Sequence, residues 1–193
     1  LEYQRSARPV RRDQPSLRGL GGCYRLPGYD RSEGVPSETG FYADALAAYE
    51  LACELHPGKQ IVVFGRSLGG AVAAQLATVT SPAVLVLEAT FSSILDMTRE
   101  LAPWTRFLPM GLLLKTRFDT VGYVSNSTVP KLIFHGDSDR TVPHTSSARI
   151  FAAARPQKKL HLIPGGDHDG LDLVDPAGYH GILREFLAEH GAL

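Results

Sequence analysis

Cysteine is scarce in this chain: Cys23 and Cys53 are the only two, thirty residues apart and outside any C-x-x-C pair. That excludes a disulfide framework and a zinc ribbon, and it implies a reducing, cytoplasmic setting. An excess of charge of either sign is missing as well, since twenty Lys+Arg balance twenty Asp+Glu. Nothing in that balance would draw the chain to nucleic acid or to an anionic membrane surface, and a small neutral or ester-like molecule fits better as its partner. No apolar run approaches the roughly 18–20 residues of a membrane-spanning helix, and the start lacks the apolar core of a secretory signal.

What remains is material for one domain, with 193 residues, 44% of them hydrophobic and 21% charged, enough for a real core. The first 36 residues read as an irregular segment rich in Arg, Pro and Gly. The chain also begins at Leu1 rather than Met, so this opening is expected to be a tail or a start that has been lost. From 37 to 193 the pattern changes. Phe41, Ala45, Leu46, Ala48, Tyr49, Ala52 and Leu55 recur at helical spacing and predict a helix over Glu38–Leu55, stopped by Pro57-Gly58.

Short apolar runs at 61–64, 83–87, 131–134 and 159–163 read as buried strands, with helices predicted at 68–78 and 146–154 between them. Asp175-Pro176 supplies an N-cap and a first-turn proline for a last helix. Residues 91–128 read as short helical pieces broken by Pro103, Pro109, Gly111 and Gly122. Strands alternating with helices imply an α/β fold, a mostly parallel sheet with helices on both faces.

The residues able to do chemistry fall at the ends of those strands. A serine hydroxyl is a poor nucleophile at neutral pH and must be held exposed beside a base, with donors ready for an oxyanion. Gly65-Arg66-Ser67-Leu68-Gly69 matches Gly-x-Ser-x-Gly, a string that chance alone produces in about one chain in ten of this length. Its setting is more informative, because Ser67 stands between an apolar strand run and an apolar helix run, as a nucleophile elbow requires. Gly65, Gly69 and Gly70 would leave room for that turn to pack against its neighbours. The plainer reading makes Ser67 an ordinary helix N-cap. A phosphate loop would want Lys and then Ser or Thr after the second glycine, where this chain has Ala71-Val72.

An acid and a base should follow, each after a later strand. Asp137 and Asp139 come after the third strand run and His168 after the fourth, with Asp139 72 residues beyond Ser67 and 29 before His168. Asp137 and Asp139 compete for the acid role, and Asp139 could equally cap its own loop in an Asx-turn. His168 could be a solvated loop histidine. His135 is expected to pack behind the acid loop, and His161 to sit within a strand. A metal centre built from His135, Asp137, Asp139 and His168 has no supporting ligand spacing.

The run His135-Gly136-Asp137-Ser138-Asp139-Arg140-Thr141-Val142-Pro143, followed by Pro164-Gly165-Gly166-Asp167-His168, resembles the serine-aminopeptidase-like α/β-hydrolases, whose relatives include acyl-protein thioesterases. Arg31-Ser32-Glu33-Gly34-Val35-Pro36-Ser37 resembles that family's Arg-Ser-x-Gly-x-Pro-Ser segment. The resemblance implies Asp139 as the acid and His168 as the base. It implies a serine hydrolase of esters or thioesters, needing no cofactor or metal, or else a peptidase of the same fold. An oxyanion would be bound by the backbone N–H of Leu68 and by a second N–H from a His-Gly loop after an earlier strand.

Upstream the pattern breaks. Cys23-Tyr24-Arg25-Leu26-Pro27-Gly28-Tyr29-Asp30 stands where the family reads Asp-Tyr-Arg-Gly-Tyr-Gly, and the His-Gly loop is missing. The fold is therefore expected to be N-terminally truncated, with an open sheet edge at the strand of Ile61–Phe64. Loss of one oxyanion donor typically costs about 10²–10³ in kcat, so a catalytically impaired binding protein is the competing expectation. Phe91, Leu95, Trp104, Phe107, Leu108 and Leu112 are candidates to line an acyl pocket, or simply to pack over the sheet.

Overall fold

The computed structural model describes residues 37–114 and 116–193. The irregular segment at 1–36, including most of the Arg-Ser-x-Gly-x-Pro-Ser motif, lies outside the described residues. Helix α1 runs Glu38–Leu55, as its periodicity predicts. Ser37 caps it by accepting the Gly40 N–H at 3.1 Å, and its apolar face buries Phe41 and Ala45. Strand β1 (Val62–Arg66), helix α2 (Leu68–Val79) and strand β2 (Val84–Glu88) follow, each within two residues of its predicted bounds. Strand β3 (Lys131–Gly136), helix α6 (Thr145–Ala153), strand β4 (Lys158–Ile163) and helix α8 (Pro176–Glu189) complete the alternating part. Asp175 caps α8 through the Gly178 N–H at 3.0 Å, with Pro176 in its first turn.

The four strands form one parallel sheet in the order β1-β2-β3-β4. Side chains alternate between its faces. Val84, Val86, Leu132, Phe134 and Ile163 meet Tyr179, Leu183, Phe186 and Leu187 of α8 on one side. Leu85, Leu87 and Ile133 meet Ala73, Ala74 and Ala77 of α2, Val124, and Ile150 of α6 on the other. A third cluster joins Phe41 and Ala45 of α1 to Ala71, Val72 and Leu76 of α2. β1 is the edge strand among the described residues, and Phe64 on it is half exposed.

The stretch from 91 to 128 holds α3 (Ile94–Leu101), a 3₁₀ turn (Pro103–Phe107), α4 (Met110–Leu113) and α5 (Thr120–Asn126). The two prolines do interrupt it, but Gly111 and Gly122 lie inside helices rather than between them. Gly122 serves a cap: its N–H donates to Asp119 Oδ1 at 3.0 Å. α3 has no buried residue and is tied to α6 by Arg149, which pairs with Glu100 at 2.9 Å and Asp96 at 3.7 Å. Ile94 and Met97 of α3, partly buried, pack against the α1–α2 cluster.

Two features bear on the carboxyl ends of the strands. Gly136 closes β3 against Gly166 so tightly that a Cβ on Gly136 would overlap the Gly166 carbonyl. Glu88, at the end of β2, is buried and accepts the Tyr179 hydroxyl, while Tyr179 stacks on Phe134 with centroids 4.2 Å apart. Burial pushes the Glu88 carboxyl above the usual range, against the opposing pulls of Tyr179, Arg66 and His168 and with help from Asp172.

Gly136→Ala is expected to cost about 1–3 kcal/mol of overpacking. Gly181→Ala, on an exposed turn of α8 with nothing within 4 Å of the new methyl, should stabilise by about 0.5–1 kcal/mol. Thermal midpoints of the two variants should therefore move in opposite directions. Glu88 gives a pH test. Its folded form holds a proton more tightly than the unfolded chain, so its contribution is fully present below the ordinary Glu value and is lost as pH rises through the folded value. Urea midpoints of Glu88→Gln relative to wild type should thus improve steadily from about pH 4.5 upward; a constant difference would contradict this.

Candidate active site

The carboxyl ends of β1, β3 and β4 bring three side chains into one line. Ser67 follows β1 directly and has φ 52° and ψ −122°, a left-handed conformation unusual for a non-glycine residue. Its own N–H donates to Glu88 O at 2.9 Å and its carbonyl accepts the Thr90 hydroxyl, which hold the strained turn in place. A helix N-cap residue normally sits in extended backbone and bonds the first turn. Ser67 has positive φ, its carbonyl accepts the Gly70 N–H at 3.0 Å, and its side chain makes no capping bond.

The glycines around it divide by role. A Cβ on Gly65 would lie 2.6 Å from Ala73 Cβ, and one on Gly70 would run into Thr90, so both are spatially required. One on Gly69 would meet nothing within 4 Å, so the expectation that all three make room holds for two.

The Ser67 hydroxyl lies 3.1 Å from His168 Nε2. On the far side of the ring, His168 Nδ1 lies 2.8 Å from Asp139 Oδ2. A proton on Nδ1, donated to the carboxylate, leaves Nε2 as the acceptor for the serine. Asp139 is fully buried and His168 only 14% exposed at the side chain, so neither is a solvated loop residue. The Asx-turn reading also applies to Asp139, whose Oδ1 accepts the N–H groups of Thr141 and Val142, both at 2.8 Å. One oxygen holds the turn and the other meets the imidazole.

Asp137 faces elsewhere. Its Oδ1 accepts the Gly165 N–H at 2.8 Å and the Ser138 hydroxyl at 2.9 Å, joining the two loops without touching His168.

His135 packs behind the acid loop. It is buried, donates from Nε2 to Val142 O at 2.9 Å, and stands 3.3 Å from Asp139 Oδ2. Burial holds its pKa below the ordinary histidine value, so it faces Asp139 as a neutral ring. His161 stands edge-on to Phe134. Among the described residues no group of three or more His, Cys, Asp or Glu is arranged to hold a metal.

Leu68 opens α2, a 12-residue helix, and its N–H is among the first-turn donors that have no intrahelical partner. Anions are favoured at that end of a helix. No His-Gly pair stands in the sequence before α1 to supply the upstream donor that the resemblance implies.

Of the pocket candidates, Phe91 is buried in the α1–α2 cluster. Trp104 (66%), Phe107 (84%) and Leu108 (43%) are exposed. The side chain of Leu112 lies outside what is described.

Sequence reading missed the ion pairs around this line: Arg66 with Asp169, and Arg140 with Asp167. Their one signal was adjacency to Ser67, Asp139 and His168. It missed Glu88 as well, a carboxylate within an otherwise apolar strand. Among the described residues no helix is long and apolar enough to cross a membrane.

The profile of the prolyl oligopeptidase family matches residues 41–182. An uncharacterized protein of Mycobacterium tuberculosis is 36% identical over 184 residues, covering 92% of this chain and 64% of its own length. Protein bem46 of Schizosaccharomyces pombe is 34% identical over 175 residues, 84% of this chain and 56% of bem46. The alpha/beta hydrolase domain-containing protein WAV2 of Arabidopsis thaliana is 36% identical over 159 residues, 73% and 51% of the two chains. The chain thus spans between half and two thirds of these curated relatives.

Solved structures share the fold at lower identity. An esterase of Pyrococcus furiosus superposes with TM-score 0.62 at 18% identity, over 79% of this chain and 62% of the other. MenH of S. aureus gives 0.61 at 18%, over 86% and 82%. A parallel sheet with the same layering, together with a family profile that covers most of the chain, leads to one conclusion: the chain belongs to the prolyl oligopeptidase family of the α/β-hydrolase superfamily.

Proposed function

We propose that this chain is a serine hydrolase that cleaves a carboxylic ester or thioester through an acyl-enzyme. The observation that supports this reading is the continuous line from Ser67 Oγ through the His168 ring to Asp139 Oδ2, at 3.1 Å and 2.8 Å. Both distances fall within hydrogen-bond reach, the first condition for a nucleophile and its base.

In the proposed reaction His168 Nε2 takes the Ser67 proton as Oγ attacks the acyl carbonyl, and Asp139 stabilises the imidazolium without itself becoming protonated. The oxyanion of the tetrahedral intermediate forms beside the Leu68 N–H, at the positive end of α2. His168 then gives its proton to the departing alcohol or thiol. A water, deprotonated by His168, attacks the acyl-serine and frees the acid. No cofactor enters this sequence, and the partner is a small acyl ester or thioester. A second reading, a protein that binds an acyl ligand without turnover, is favoured by one observation: the described residues offer an oxyanion site built on a single helix N-terminus.

A fluorophosphonate probe and short-chain p-nitrophenyl esters test both readings, with an aminoacyl p-nitroanilide as the peptidase arm. Wild type is expected to label and turn over esters. Ser67→Ala should abolish labelling, and Asp139→Asn should lower kcat by about 10⁴, as loss of the correct imidazole tautomer does in serine proteases. Asp137→Asn should stay within about tenfold of wild type, since it removes a loop contact and no proton relay. Labelling without turnover favours the binding protein, and a folded wild type that does not label removes the hydrolase reading.

A further inference from the structure

His168 lies on a connection that neither a helix nor a strand holds. Residues 164–170 link β4 to the short helix α7 (Leu171–Val174). Gly165 and Gly170, near its two ends, have φ of 72° and 69°, backbone that most residues adopt poorly. The first half is tied to the acid loop: the Ser138 N–H donates to Gly166 O at 3.0 Å, and Gly165 reaches Asp137.

Side chains hold the second half, Asp167 to Asp169. Arg140 donates to Asp167 Oδ2 from Nε at 2.9 Å and from Nη2. Asp167 Oδ1 accepts the backbone N–H of Arg140 at 3.1 Å and that of His168 at 2.8 Å. These bonds hold the Asp167 carboxyl down at about 2, so it stays ionised over the working range. On the other flank Arg66 Nη1 donates to Asp169 Oδ1.

The partners follow an antiparallel order. Residue 140 meets 167, 139 meets 168, 67 meets 168, and 66 meets 169. Each hydrogen bond of the imidazole is therefore duplicated, one position along both chains, by an arginine–aspartate pair. The arginines are mounted on fixed backbone: Arg66 ends β1, and Arg140 lies within the turn that Asp139 closes through Thr141 and Val142.

We infer that Arg66–Asp169 and Arg140–Asp167 are paired clasps that set the His168 ring between Ser67 and Asp139, which makes these four side chains positioning residues of the reaction. The inference rests on the serine-hydrolase reading. Exposed ion pairs contribute little to global stability, and these side chains are substantially exposed. Their effect lies in alignment, because a displacement of about 1 Å at a reacting centre costs on the order of 10²-fold in rate.

The test measures kcat and KM on p-nitrophenyl butyrate, the fluorophosphonate labelling rate, and the thermal midpoint. Arg66→Ala and Asp169→Ala should each lower kcat and labelling by about tenfold, with KM within about twofold. Their midpoints should stay within about 3 °C of wild type. The Arg66→Ala/Asp169→Ala double variant should be no slower than either single one, and the charge swap Arg66→Asp/Asp169→Arg should return most of the rate. Arg140→Ala should fall similarly, while Arg140→Lys, which keeps the charge but not the two-pronged bond, should recover only part.

Singles within twofold of wild type, or losses that add in the double variant and resist the swap, would overturn the clasps while the hydrolase reading stands. A wild type that neither labels nor turns over would instead remove the hydrolase reading, and the inference with it.

Discussion

Gly136 and Gly166 meet backbone to backbone with no room for a side chain between them, and the relative placement of the acid and base loops follows from that contact. β3 and β4 are paired in parallel up to Gly136 and Ile163, so their loops leave the sheet side by side. The glycine contact then brings the loops together at once. Asp137 N–H reaches Ile163 O at 3.2 Å and Ser138 N–H reaches Gly166 O at 3.0 Å. Only two residues separate Gly136 from Asp139 and one separates Gly166 from His168, so little slack accumulates before the carboxylate meets the ring. Two to three extended steps span about 7–11 Å at most.

The serine is placed by a different device. At the end of β1 the chain must turn from strand to helix within one residue, and Ser67 absorbs the turn in a conformation costing on the order of 1–3 kcal/mol. Ala89, at the end of β2, also has positive φ, 46°. The two neighbouring strands thus end in strained residues, and they are linked through Ser67 N–H to Glu88 O and Ala89 N–H to Phe134 O. Backbone bonds running across β1, β2 and β3 brace the turn that exposes the hydroxyl. Such bracing is needed because a residue in a sparsely populated conformation persists only where its surroundings over-determine it.

These two devices differ in how far the sequence reveals them. The bounds of α1 could be read from its apolar stripe and from Pro57-Gly58, and the start of α8 from Asp175-Pro176. The strands could be read because burial on both faces demands continuous apolar runs. The Ser67 elbow could be read from its strand-turn-helix setting, but its distinction from an N-cap lies in a backbone angle that no residue name encodes. Asp137 and Asp139 are chemically the same and two positions apart, so only the path of the loop separates them: one bonds Gly165 and the other His168. α3 lies within the stretch read as short helical pieces, but its ties to α6 through Arg149, Asp96 and Glu100 join residues far apart in the chain and leave no local pattern.

A net charge of zero read from composition describes the whole chain and hides how the charges are arranged around the site. Arg66, Arg140, Asp167 and Asp169 cancel in sum, yet each stands one residue from a member of the Ser67–His168–Asp139 line. Long-range steering by such a set is small, because opposite charges at contact distance have little field beyond a Debye length of about 10 Å. Close by, the same set acts differently. It holds the His168 loop with directed, charge-assisted bonds on the side open to water, where an apolar contact would have left an exposed patch. The glycine contact below and the ion pairs above therefore grip the His168 loop from its two sides, and the imidazole occupies the place where both constraints are met.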